Sequence, residues 1–201
     1  MEADKQRVNA QKRGRVIKLT TKNIVLTGLL AAAMTAGKLA LAFIPNVEVV
    51  TVLILVYATV FGLRAVFAVL VFCTVEVLFY GFGTWVFLYY IYWSALCSIA
   101  CLLLKRPRSV AAVIYAVVMT FLFGIIDTVI NVVFAVLSGF SCQESMSLFI
   151  GYYARGVWFY VVHIVSNALV VSALYRPLVS ALSKLNLGIN GGGWHNSQSA
   201  E

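Results

Sequence analysis

Five ionisable side chains stand where hydrocarbon surroundings penalise them: Lys38, Glu48, Glu76, Asp127 and Arg155 lie within, or at the edge of, long apolar runs. A charge at the centre of a bilayer costs about 3 kcal/mol or more, so such residues normally face a bundle interior or a wet cavity. Helical spacing groups further residues with them. Asp127 and Asn131 are four apart on one face, and Tyr152, Arg155, Phe159 and His163 form a stripe that Asn167 extends. Trp85, Tyr89, Tyr92 and Trp93 form an aromatic stripe of their own. The chemistry these types permit is recognition: aromatic faces stack a flat molecule while charges of both signs bond its polar edge. Two plainer arrangements use the same residues, namely an aromatic belt at the membrane surface, and internal pairing of Lys38 and Arg155 with the three carboxylates.

The elements that must position these side chains follow from composition. The 201 residues are 62% hydrophobic and 11% charged, with a mean hydropathy of +0.96. That is too apolar for a soluble core of this size, and several runs approach bilayer length. The expected fold class is an all-α integral membrane protein. Residues 1–22 form a basic head, 23–184 the membrane domain and 185–201 a polar tail expected to be disordered.

Within the membrane domain, Asn23 to Ile44 makes a first span, ended by Pro45 and Asn46. Val47 to Tyr80 is too long for one crossing, and "FGLRA" at its middle divides it into two short spans. After the turn "YGFGT", Trp85 to Leu104 is a fourth span and Val110 to Leu137 a fifth. Leu148 to Leu174 is a sixth, closed by Tyr175, Arg176 and Pro177. With the amino terminus cytoplasmic, six spans place thirteen of the fifteen basic residues on one side, which favours six crossings with both termini inside. The two left over are Lys38 and Arg155. Counted from the outer helix ends, these lie about 10 Å deep, Glu76 about 6 Å and Asp127 about 15 Å, all in the outer half. A proton relay would also need titratable groups in the inner half, where only cysteines stand.

A basic head before an apolar run also matches a signal peptide, with Ala40 and Ala42 resembling its cleavage site. The run exceeds a signal's apolar region, so it is expected to remain as a span. "TAGKLA" carries the Gly-Lys of a phosphate loop, but Ala32 and Leu39 replace its first glycine and its hydroxyl residue, so no nucleotide site is expected. The cysteines and two histidines lack metal-ligand spacing, and no nucleophile constellation is visible. Neither an enzyme activity, a metal, a cofactor nor a nucleic-acid partner is expected.

The first span has a second face, where Gly28, Ala32, Ala36 and Ala40 recur every four residues. Small residues at that spacing allow another helix to approach closely, and Lys38 points about 200° from Ala36 and from Ala40. This stripe, the "PNVEVVT" opening the second span, "YGFGTW" before the fourth and "HIVSN" in the sixth resemble the substrate-binding S component of energy-coupling factor (ECF) vitamin transporters. The resemblance covers about Thr21 to Lys184. It implies a plasma-membrane subunit that captures a vitamin or similar micronutrient, then docks on a transmembrane coupling subunit driven by two ATPases. It also implies docking through the alanine stripe, and a ligand held by the loop at Asn46 and the outer parts of the later spans. The candidate ligand-contacting residues are therefore Lys38, Asn46, Glu48, Glu76, Tyr80, Trp85, Tyr89, Asp127, Asn131, Arg155, Phe159 and His163. A structural scaffold of the rod-shape type and a self-sufficient small transporter remain the alternatives.

Overall fold

In the computed structural model, residues 20–191 are described. They form helices α1 (Thr21–Ala40), α2 (Val50–Phe61), α3 (Ala65–Tyr80), α4 (Thr84–Leu103), α5 (Ser109–Leu137) and α6 (Cys142–Gly191), with a 3-10 turn at Gly62–Arg64. No strand occurs among the described residues. The basic head up to residue 19 and the tail beyond 191 lie outside them.

Local chemistry explains most helix ends. Thr20 caps α1 by accepting the Asn23 N–H at 3.3 Å. The helix stops at Ala40, four residues short of the expected Ile44. A proline clashes with the carbonyl four residues before it and disfavours helical backbone at its predecessor, so Pro45 disrupts the chain from Leu41 onward. Residues 41–46 turn instead, and Asn46 takes a left-handed φ of 64°. Ser141 and Glu144 start α6 as a reciprocal capping box: the Ser141 N–H donates to Glu144 Oε2 at 2.8 Å, and the Glu144 N–H to Ser141 Oγ at 3.3 Å.

Five stretches are long and apolar enough to cross a membrane, one of them the 31 residues Val50–Tyr80. Drawn out as one helix that stretch would extend about 46 Å. Instead Val50 and Tyr80 line the same cavity, while Phe61 and Arg64 line a second pocket with Asn23 and Ile24 at the other end of α1. The chain therefore reverses at Gly62, whose φ of 61° and ψ of −146° suit glycine alone. The arms, of 12 and 16 residues, extend about 18 and 24 Å, less than a 30 Å hydrocarbon core.

Helix α2 is apolar on every side, with Val50, Val52, Ile54, Leu55, Val56 and Tyr57 all buried, and it occupies the centre of the bundle. Parallel to it runs α6. Asn167 Nδ2 donates to Thr51 Oγ1 at 3.3 Å, and eight residues further along both chains the hydroxyls of Thr59 and Tyr175 are 2.9 Å apart. A second Asn167 bond, to Thr120 Oγ1 at 2.9 Å, ties in α5.

The sixth helix corrects the expected end at Pro177. It continues for a total of 50 residues, to Gly191, so that 185–191, read from sequence as disordered tail, are helical. A proline removes one backbone hydrogen bond, but the apolar face persists across it. Val171, Tyr175 and Val179 are buried at four-residue spacing, and Asn186 Nδ2 donates to the Val60 carbonyl at 3.4 Å.

Helices α5 and α6 cross where glycine is needed. A Cβ on Gly156 would stand 2.5 Å from the Tyr160 ring, and one on Gly124 2.9 Å from the same ring. Gly156→Val is therefore expected to push Tyr160 off α5. It should lower stability by about 2 kcal/mol, read as a falling melting temperature in detergent; an unchanged value would mean that the ring swings aside freely.

Candidate functional site

One end of the bundle holds an open cavity of about 620 Å³ beneath the 41–49 segment. Ligand pockets typically measure about 300–1,000 Å³. Eight of the twelve residues singled out from sequence line it: Lys38, Asn46, Glu48, Tyr80, Trp85, Tyr89, Phe159 and His163. They come from α1, the loop after it, α3, α4 and α6, so no single stretch of sequence contains the site.

Lys38 stands on the wall, and its ammonium is paired with the carboxylate of Glu76. It also donates to the Tyr89 hydroxyl at 3.3 Å and lies 4.9 and 5.0 Å from the ring centres of Tyr80 and Tyr89, within cation–π range. Glu76 does not line the cavity: fully buried on α3, it is the counter-ion that holds Lys38 in place.

Glu48 also reaches the wall, and its oxygens are engaged. Oε2 accepts the Thr51 N–H at 2.9 Å, while Oε1 accepts the Thr51 hydroxyl and faces His163 Nε2 at 3.5 Å. The carboxylate therefore caps the amino terminus of α2, where free N–H groups and the helix dipole favour a negative charge. One side chain both starts the central helix and fixes the His163 ring.

Aromatic rings complete the wall. Trp85, Tyr89 and Trp93 follow one another along α4 at four-residue spacing, with edge-to-face centroid separations of 5.1 and 6.0 Å. Phe123 of α5 lies 5.7 Å from the His163 ring, and Phe159 lies 6.0 Å from it. Sequence reasoning placed Trp93 in the aromatic stripe without assigning it to the site. Phe72, Phe123 and the loop residues Ile44, Pro45 and Val47 were missed, although Phe123 shares a helical face with Asp127 four residues on.

Asp127, Asn131 and Arg155 are not on this wall. Asn131 Nδ2 donates to Asp127 Oδ1 at 3.2 Å, and the Thr84 hydroxyl donates to Asn131 Oδ1 at 3.3 Å, a cluster joining α5 to the start of α4. Arg155 is exposed; its Nε donates to the Gly151 carbonyl at 3.3 Å, its guanidinium lies 5.3 Å from the Tyr152 ring, and no carboxylate pairs with it among the described residues. Of the internal pairs conceivable from sequence, Lys38 with Glu76 forms and Arg155 with an acid does not.

On α1, the stripe Gly28, Ala32, Ala36 and Ala40 is exposed, while Leu30, Ala31, Met34 and Thr35 face the bundle. The close fit on the inner side is at Gly37, where a Cβ would meet Val49 Cγ2 at 2.5 Å.

Comparison with protein-family models, curated proteins and solved structures finds no match for this chain. Fold and composition together make it an all-helical membrane-embedded protein. Its defining feature is an aromatic cavity with one ion pair and one carboxylate–histidine contact in the wall.

Proposed function

We propose that this chain is the substrate-capture subunit of an ECF-type importer, binding a vitamin-like micronutrient from outside the cell. It crosses the plasma membrane six times with both termini in the cytoplasm, and it binds and releases its substrate chemically unchanged. The observation that carries this reading is the 620 Å³ cavity at one end of the bundle, into which six separate elements deliver aromatic and charged side chains. A scaffold that binds only proteins has no use for such a chamber.

Charge distribution supports the orientation. The helix order puts Lys22, Arg64 and the Lys105, Arg106, Arg108 loop at the end opposite the cavity. Basic residues favour the cytoplasmic side, which turns the cavity outward. The exposed small-residue stripe of α1 supports docking on a coupling subunit, because small side chains let helices approach closely in lipid. In this reading two ATPase subunits power that partner.

The deciding experiment purifies the full chain in detergent from cells grown in rich medium, denatures it, and identifies released small molecules by mass spectrometry. One compound at about one equivalent per chain is the expected result. An empty protein whose melting temperature no vitamin shifts would turn the assignment to a scaffold.

A further inference from the structure

We propose that the cavity takes an uncharged, planar heterocyclic compound rather than a carboxylate, phosphate or ammonium ligand. This rests on the substrate-capture reading and adds the chemical class of the substrate.

Each formal charge at the wall is answered from within the protein. The Lys38 ammonium is held by the Glu76 carboxylate, the Tyr89 hydroxyl and the faces of two tyrosine rings. The Glu48 carboxylate is answered by Thr51 at the positive end of α2 and by His163. An anion drawn to Lys38 would compete with Glu76, the buried acid that the ammonium already neutralises. A cation drawn to Glu48 would compete with the Thr51 N–H and His163 for the carboxylate that caps the central helix. A charged group making neither exchange would be stranded among Trp85, Trp93, Phe123 and Phe159. Each of these outcomes costs more than desolvating a neutral ring, which the aromatic walls accept face-on.

The hydrogen-bonding capacity that wall residues leave unused points the same way. Trp93 Nε1 and His163 Nδ1 are buried and have no partner in the protein. An indole nitrogen only donates, and His163 Nδ1 donates or accepts according to the ring's tautomer. An indole donor and an imidazole nitrogen suit the polar ring atoms of a heterocycle.

The test takes the compound released from the full chain, re-purifies it, measures its electrophoretic mobility at pH 7 and rebinds it to protein stripped of ligand. A compound without mobility is expected. Rebinding to Glu76→Gln is expected to be at least 10-fold weaker, because the freed ammonium holds water that a neutral ring must displace. A stoichiometric compound migrating as an anion or cation overturns this inference and leaves the capture reading standing. Tighter rebinding to Glu76→Gln does the same, since it would make Lys38 the counter-ion of the ligand. A protein that releases no compound, and whose melting temperature no vitamin shifts, removes both readings. Should Glu76→Gln fail to fold, mobility alone decides.

Discussion

Lys38→Ala is expected to destabilise the folded chain by about 3 kcal/mol. The stability loss arises on the far side of the ion pair. Glu76 is fully buried, and without the ammonium its carboxylate would remain in a low-dielectric interior with no cation to answer it. Removing one partner of a buried pair is costly for that reason, whereas replacing both with apolar groups of similar volume often is not. The double variant Lys38→Met/Glu76→Leu should therefore melt closer to the parent than Lys38→Ala does. The two sites are in contact, so their effects are not additive. Thermal unfolding in detergent measures all three proteins. If Lys38→Ala melted with the parent, the pair would have no structural role, and the account of Glu76 as the group that positions Lys38 would be lost.

Ala36→Trp should separate capture from transport. Ala36 sits on the exposed face of α1, on the side away from the bundle, while Lys38 on the same helix reaches the cavity. An indole at position 36 would project into the surface offered to a partner helix and hold the two backbones apart. Uptake of the substrate by cells should fall about 100-fold or more, a loss of roughly 3 kcal/mol in docking. Substrate binding by the purified chain should stay within about 2-fold of the parent. Loss of both would assign Ala36 to packing within the bundle, and loss of neither would remove the stripe from the transport mechanism.

Several elements were legible in the sequence because their causes are local. Helix α5 begins at Ser109 and ends at Leu137, within one residue of the stretch marked out by its apolar run. The reversal at "FGLRA" was legible because glycine reaches a backbone conformation closed to other residues. At Pro177 the same kind of local reading failed. Proline stops a helix when nothing else holds it, but here Tyr175, Val179 and Asn186 are anchored to α2 and the core from both sides of the break. Those anchors are contacts between residues more than a hundred positions apart.

The site divides along the same line. The sequence by itself determined that the chain is helical and apolar enough for a membrane, which residues share a helical face, and that Lys38, Glu48 and Glu76 needed partners. Which of them met was decided only by the tertiary structure. The stripe Arg155, Phe159, His163 is continuous on paper, yet its last two members face the cavity while Arg155 lies exposed. Asp127 instead joins Asn131, away from the cavity wall. Periodicity gives the angle between side chains on one helix, a property of the backbone alone. How far each helix is rotated and slid against its neighbours depends on packing, such as Gly156 and Gly124 admitting Tyr160 or Gly37 admitting Val49. Those fits arise between distant parts of the chain, and they decide which charged residues share a wall.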